Sequence, residues 1–403
     1  MSQQNDRRSL QQTTCNTVES RRPAVALLID TATEWGRNAI HGVASYAHKQ
    51  GGWDIWLQRR CQQAPGRLPP GWRGDGIIAR VADRSMGRYL ADVSAPVVNV
   101  SAARIPGIHF PTVSINLPAV ARLATDHLLD DVFRHFGYYA PYGFSYAKAY
   151  YESFVERLAE VGLDCSLFLG RGGAGNEATW QRRQQELQQW LQEQPKPVAI
   201  MTWTSDLARE VSYASQAMGL LVPEQVAVMA GGDDSVLCET CSPPLSAVAI
   251  NAERIGYEAA ALLDNLLHKK PCPSQPLLIE PTHVVVRQST DTLAVDDSDL
   301  ARAIAFIRGN AGRRIQVSDV LRSVPVSRSW LERRFQQLLG RSPAEEIRRV
   351  RLERTKRLLV ESDMPLPEIA VASGFGSSEY LAYAFKQATG LTPREFRSQT
   401  RGW

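Results

Sequence analysis

Ser329, Glu332, Arg333 and Gln336 fall within one helix-forming stretch, off the apolar stripe made by Leu331, Phe335 and Leu338. An arginine can clasp the two acceptors of guanine and a glutamate can accept from the cytosine amine, so this face suits base edges. Ser378, Glu379 and Tyr383 stand in the same relation to Leu381, Phe385 and Ala388. Ser327, Arg328, Ser377 and Lys386 sit where hydroxyl and cationic groups reach phosphates, which position a duplex without reading it. A second set has different chemistry. Trp35, Asn116, Trp203, Asp206 and Asp233 each follow a short apolar run. Carboxylates and amides grip pairs of hydroxyls while an aromatic face covers C–H bonds, which is the chemistry of polyol binding. Each residue also has a plainer role: a solvated helix face for the first set, and helix capping or lobe packing for the second.

The first set needs helices at fixed separation. Residues 317–340 and 366–390 share one layout: a short helix, a tight turn, a serine, a longer helix and a terminal glycine. Ser327 is a natural N-cap and Gly340 a natural stop, while in the second unit Pro367 suits the first turn of its helix, Gly374 the tight turn and Gly390 the stop. This is a helix-turn-helix, twice. Residues 343–362 join the units as one helix, with Ser342 as its cap and Pro343 at its first position. At 1.5 Å per residue it spans about 30 Å, close to the roughly 34–36 Å between successive major-groove windows. Arginines 348, 349, 351, 354 and 357 are expected to line this helix with charge for phosphates.

The second set needs strand ends. Ten apolar strand candidates, running from 25–30 to 282–287, alternate with helical patterns at 34–49, 118–136, 146–161, 178–192, 207–218 and 255–267. Such alternation predicts parallel sheets covered on both faces, and so many strands predict two α/β lobes with a cleft between them. Strand carboxyl ends face such a cleft. Residues 1–22 read as a disordered lead, 23–288 as the two-lobed domain, 289–298 as a polar linker and 299–403 as an all-helical domain opened by Leu300, Ala303, Ile304 and Ile307.

Composition narrows the class. Residues 299–403 carry 19 Lys and Arg against 11 Asp and Glu, while the rest of the chain holds 27 against 31. A basic block on a mildly acidic body points to a polyanionic partner for the block alone. No apolar run reaches the ~20 residues of a membrane span, and the polar start has no signal-peptide core. Six scattered cysteines read as reduced cytoplasmic thiols. Cys238 and Cys241 have redox-like spacing without a second pair, and residues 170–175 are glycine-rich without the Lys-Ser/Thr of a phosphate loop. No acid–base or nucleophile constellation suggests an enzyme, and no cofactor is expected.

GFGSSEYLAYAFKQATGLTPREFR, at 374–397, resembles the signature of the AraC family of bacterial transcription regulators. Leu321 and Pro325 depart from that pattern, and Pro325 is expected to push Val324 out of helix. The body resembles LacI-type repressors and periplasmic binding proteins through VALLID (25–30), DGIIAR (75–80), VSIN (113–116), TWTSD (202–206), VAVMAGGDD (226–234) and VVVRQST (284–290). Together these resemblances imply an α/β sensor of two periplasmic-binding-protein-like lobes followed by an all-α domain with two helix-turn-helix units. They imply a small sugar effector (D-xylose or another pentose), double-stranded DNA, a homodimer and RNA polymerase as partners. They place Tyr150 where many LacI-type sensors hold ligand with an arginine, and put Asp206 and Asp233 at acidic sugar-ligand positions. Against this stand a ligand-independent DNA binder, a regulator responding to a non-pentose sugar and an enzyme using the cleft.

Overall fold

The computed structural model describes residues 21–58, 67–130, 133–141, 145–170, 177–271, 273–291 and 298–401. The expected lead up to residue 20, most of the glycine-rich stretch and residues 292–297 lie outside the described residues.

Strand β1 (Ala24–Leu28), helix α1 (Glu34–Lys49), β2 (Asp54–Leu57), β3 (Gly76–Ala79), α2 (Arg84–Ala91) and β4 (Val97–Asn99) build the first lobe. Its parallel sheet has the order β2-β1-β3-β4. Side chains alternate across a strand, so Val25 and Leu27 pack under α1 while Ala26 and Leu28 face α2. Next come β5 (Val113–Ile115), α3 (Leu117–Asp130), β6 (His135–Pro141), α4 (Ser145–Ala159), β7 (Cys165–Gly170), α5 (Glu177–Glu193), β8 (Val198–Thr202), α6 (Ser205–Ala217), β9 (Val226–Ala230), α7 (Ser235–Glu239) and β10 (Ser246–Val248). Helix α8 (Ala252–Leu267), β11 (Leu277–Ile279) and β12 (Val284–Val285) complete the body. The larger sheet runs β12-β10-β9-β8-β6-β7, and β5 pairs separately with β11. The same alternation splits β8 and β9 between two cores, one under α3 and α4 and one under α5 and α6.

Helix α8 belongs to the first lobe although it follows a strand of the second, so the chain recrosses between β10 and α8. Its packing on α1 is unusually close. A Cβ at Gly42 would lie 1.9 Å from the Glu253 carbonyl oxygen, and one at Gly256 only 1.8 Å from that of Ala39. Only glycine permits that approach.

Ser289 and Thr290, assigned by polarity to the linker, are fully buried in the second lobe. The Ser289 hydroxyl accepts from the Ser246 amide at 2.8 Å and donates to the Val228 carbonyl at 2.6 Å. Thr290 bonds the Ser246 hydroxyl at 2.7 Å and His127 Nε2 at 2.9 Å. Paired hydroxyls can be buried at little cost, so composition alone misplaces the edge of the lobe.

The C-terminal domain comprises α9 (Ser298–Gly309), α10 (Val317–Ser323), α11 (Arg328–Leu339), α12 (Pro343–Glu361), α13 (Leu366–Ala372), α14 (Ser378–Thr389) and α15 (Pro393–Arg401). One core joins α9, α10, α11 and Ile347 of α12, and a second joins Leu352 and Leu359 of α12 to α13 and α14. The long helix is thus a wall of both cores, which fixes one helix-turn-helix against the other. Ser342 caps it through a reciprocal pair with Glu345 and Pro343 opens it, as expected. Val324 adopts φ −131 and ψ 140, the extended geometry imposed by Pro325. Among the described residues no helix is long and apolar enough to cross a membrane.

Candidate effector cleft and nucleic-acid interface

Between the lobes lies a cavity of about 330 Å³. Loop and helix starts build it: Thr33 caps α1, Thr204 caps α6 and Asp234 caps α7, so each chain turns as it leaves its sheet. This ordering brings Trp35, Tyr150, Trp203, Asp206 and Asp233 into one wall. The Arg80 guanidinium stacks over Trp35 at 4.5 Å from the ring centre. Tyr150 is 1% exposed, and its hydroxyl is buried without a hydrogen-bond partner among the described residues. Buried hydroxyls are almost always paired, and this one belongs to a residue of the cavity wall. Asp206, in the first turn of α6, is pushed above the usual carboxylate range by desolvation and then by the neighbouring charge of Asp234.

Two expected residues are committed elsewhere. Asn116 lies outside this wall. Its Nδ2 donates to Glu280 Oε1 at 2.6 Å and its Oδ1 accepts from the Ala119 amide at 3.4 Å, because β5 leads straight into α3. Asp233 lines the wall, yet its oxygens face Arg287 Nη1 at 2.9 Å and Nη2 at 3.3 Å. It acts as half of an ion pair rather than as an open carboxylate. Arg80, Asn38 and Ser205 also line the cavity. Arg80 was findable, since it ends a strand as the expected residues do. Cys238 is buried, its thiol donates to Ser205 Oγ at 3.3 Å, and burial pushes it up to about 12.

A larger cavity of about 830 Å³ opens beside the first, between the 101–112 loop, α4 and residues 273–278. Among the described residues, none of the buried side-chain polar atoms without a partner belongs to its wall. Chemistry therefore favours the smaller cavity.

On the C-terminal domain, Ser327 and Ser377 cap α11 and α14, and Gly340 and Gly390 end them in the left-handed conformation. Leu331 and Phe335, then Leu381 and Phe385, are fully buried. Ala384, not Ala388, completes the second stripe: Ala388 is exposed, and the Leu338 side chain lies outside the described ones. Ser327, Arg328, Ser329, Glu332, Arg333 and Gln336 are exposed, as are Ser377, Glu379, Tyr383 and Lys386, with Ser378 half-buried. Arg328 Nε pairs with Glu332 Oε1 at 2.9 Å, while Arg333 is exposed on the same helix.

The charge expected on α12 is largely turned inward. Arg349 pairs with the fully buried Glu346. Arg351 Nη2 donates to the Ile315 carbonyl and Arg354 Nε to that of Ala372, each at 2.7 Å. These groups fasten neighbouring helix and loop ends, and Arg348 is the exposed one.

Three family descriptions match the chain in order: an XylR N-terminal domain over residues 24–126, a periplasmic binding protein-like domain over 125–290 and a helix-turn-helix domain over 321–399. The xylose operon regulatory protein of Escherichia coli K12 is 30% identical over 387 residues, covering 94% of this chain and 97% of that protein. This chain belongs to the xylose operon regulatory protein family. The Haemophilus influenzae member is 28% identical over 381 residues, covering 93% and 97%. The solved structure of the xylose-binding transcription activator xylR matches with a TM-score of 0.62 at 29% identity, over 94% of this chain and 98% of that one. Like its family, the chain is a DNA-binding transcription regulator with an AraC-type tail and a LacI-like sensor, and not an enzyme.

Proposed function

We propose that a small neutral sugar, D-xylose or a related pentose, enters the interlobe cleft and that its binding changes how the C-terminal domain engages promoter DNA. The observation that carries this is the buried, unpartnered Tyr150 hydroxyl in a wall holding Trp35 and Trp203. The rings cover the sugar's C–H face, and Tyr150, Asp206 and Asn38 meet its hydroxyls. With Asp233 matched by Arg287, Asp206 and Asp234 still outnumber Arg80 in the wall, which disfavours phosphorylated or acidic sugars. A thermal-shift screen of pentoses, hexoses and sugar phosphates tests this. A ligand at 100 times its Kd stabilises by about 2.7 kcal/mol, the phosphates give no shift, and Tyr150→Phe weakens the response. Silence across all neutral sugars would leave a ligand-independent DNA binder.

Residues 23–288, extended through Thr290, form the sensor, and 299–403 the reader. Helices α11 and α14 enter successive major grooves of one duplex face. Glu332, Arg333, Gln336, Ser329, Ser378, Glu379 and Tyr383 meet base edges, while Ser327, Arg328, Ser377 and Lys386 meet phosphates. The regulator works in the cytoplasm as a homodimer, through contact with RNA polymerase, and activates in response to its sugar. Arg333→Ala is expected to cost about 1–3 kcal/mol and to relax preference at one base position. Equal weakening on every sequence would instead make Arg333 a phosphate contact.

A further inference from the structure

The geometry points to Asn251 as the positioning residue that passes lobe movement to the DNA-binding domain, an inference that rests on the effector reading above. Asn251 stands where the chain recrosses from β10 of the larger lobe to α8 of the smaller one. Its backbone, at φ −79 and ψ 70, makes a three-residue turn closed by the Ala252 amide on the Ile250 carbonyl at 2.9 Å. Residues that join two lobes absorb the dihedral change when those lobes move. The neighbours on either side, Ile250 and Ala252, both line the cleft.

The side chain faces other work. Its Oδ1 accepts from the Arg254 amide at 3.0 Å and so caps α8. Its Nδ2 donates to the Thr400 carbonyl oxygen at 2.6 Å, across 149 positions of sequence. Thr400 lies in the last turn of α15, where carbonyls have no partner within their own helix. One amide therefore joins the positive start of α8 to the negative end of α15. The Arg308–Asp291 pair at 3.4 Å also bridges body and tail, but it lies beside the covalent connection. Asn251 holds the far end of the domain to the hinge. A rotation at residue 251 swings this amide, so α15 must follow or lose its cap, and α15 packs against α12 and α14. A ligand that prefers one lobe arrangement thereby biases the reading helices.

Asn251→Asp separates the two duties in the full chain: a carboxylate still caps α8 but has no proton to donate to Thr400. Hydrogen exchange of residues 393–401 is expected to quicken about fivefold, the equivalent of one lost hydrogen bond, while 252–256 stay protected. D-xylose binding measured by calorimetry is expected to remain, and the ratio of promoter affinities with and without D-xylose to fall toward one. Unchanged exchange at 393–401, or an unchanged affinity ratio beside a wild type that responds, overturns the proposal. A wild type silent to D-xylose removes the effector reading alone, and the exchange measurement still decides whether Asn251 holds α15.

Discussion

Glu346 has no exposed surface, and guanidinium groups close around it: Arg341 Nε at 2.7 Å and Arg349 Nε and Nη2 each at 2.9 Å. Burial opposes its charge, but the Arg349 hydrogen bonds and the charges of Arg349, Arg341 and Arg308 outweigh burial and hold the carboxyl at about 2. A depressed carboxylate stabilises the fold above its ordinary pKa of 4.5, and that contribution fades as pH falls from there toward 2. Glu346→Ala leaves the guanidiniums uncompensated and is expected to cost about 3–5 kcal/mol at pH 7. Chemical unfolding between pH 2 and 7 checks both points, since the variant must lose the acid dependence as well as the stability. Residue types alone give no sign of this buried anion, because its burial arises from helices, α9 among them, that arrive from elsewhere in the chain. The same limit applies in the cleft. The rule that ligands sit at strand ends led to Trp35, Trp203 and Asp206, which do line the cavity, yet it took Asp233 without its partner Arg287 and Asn116 from a strand outside both main sheets.

Periodicity is strong where an element is long, and α1, α4, α5, α8, α11, α12 and α14 stand within a few residues of their predicted bounds. It fails for short pieces. Helices α2 and α7 and strands β10 and β11 were not anticipated, since three to eight residues hold too few apolar repeats to stand out from loop. It also cannot tell which face of a cationic helix is inward, and α12 shows the consequence. Its arginines follow no apolar rhythm, so they read as solvent-facing, whereas the carbonyl ends of α13 and of the 313–315 loop draw two of them, Arg354 and Arg351, against the protein. Two substitutions separate the roles. Arg354→Ala frees the Ala372 carbonyl at the end of α13 and is expected to lower stability by about 1–3 kcal/mol, with the salt dependence of DNA binding unchanged. Arg348→Ala leaves stability alone and reduces the slope of log affinity against log salt by about 1. Titrations at several salt concentrations beside thermal melts read both. A shallower slope for Arg354→Ala would return that guanidinium to the phosphates.

Over the whole molecule, response depends on how far apart in free energy the lobe arrangements lie, and the cleft mouth contains a contact expected to widen this gap. Glu34, from the first turn of α1, accepts from both the amide and the hydroxyl of Ser235 at 2.6 Å. Its own amide donates to Asp234 Oδ2 at 3.1 Å. These bonds span the two lobes, so separating the lobes breaks them while sliding within a lobe does not. Hydrogen bonds to a charged group contribute about 1.5–3 kcal/mol, and a contact made in one arrangement only shifts the population by its full worth. Glu34→Ala should therefore raise the D-xylose concentration for half response about tenfold or more, while the plateau of sugar-saturated DNA binding is kept. Glu34→Gln, which still offers an oxygen to Ser235 but no charge, should fall between the two. Calorimetry and promoter binding on the same samples separate this outcome from a damaged cleft, which would lower the plateau too. A half-response concentration unmoved by either substitution would mean that the Glu34–Ser235 bonds persist in both arrangements, and that the gap is set by apolar packing between the lobes.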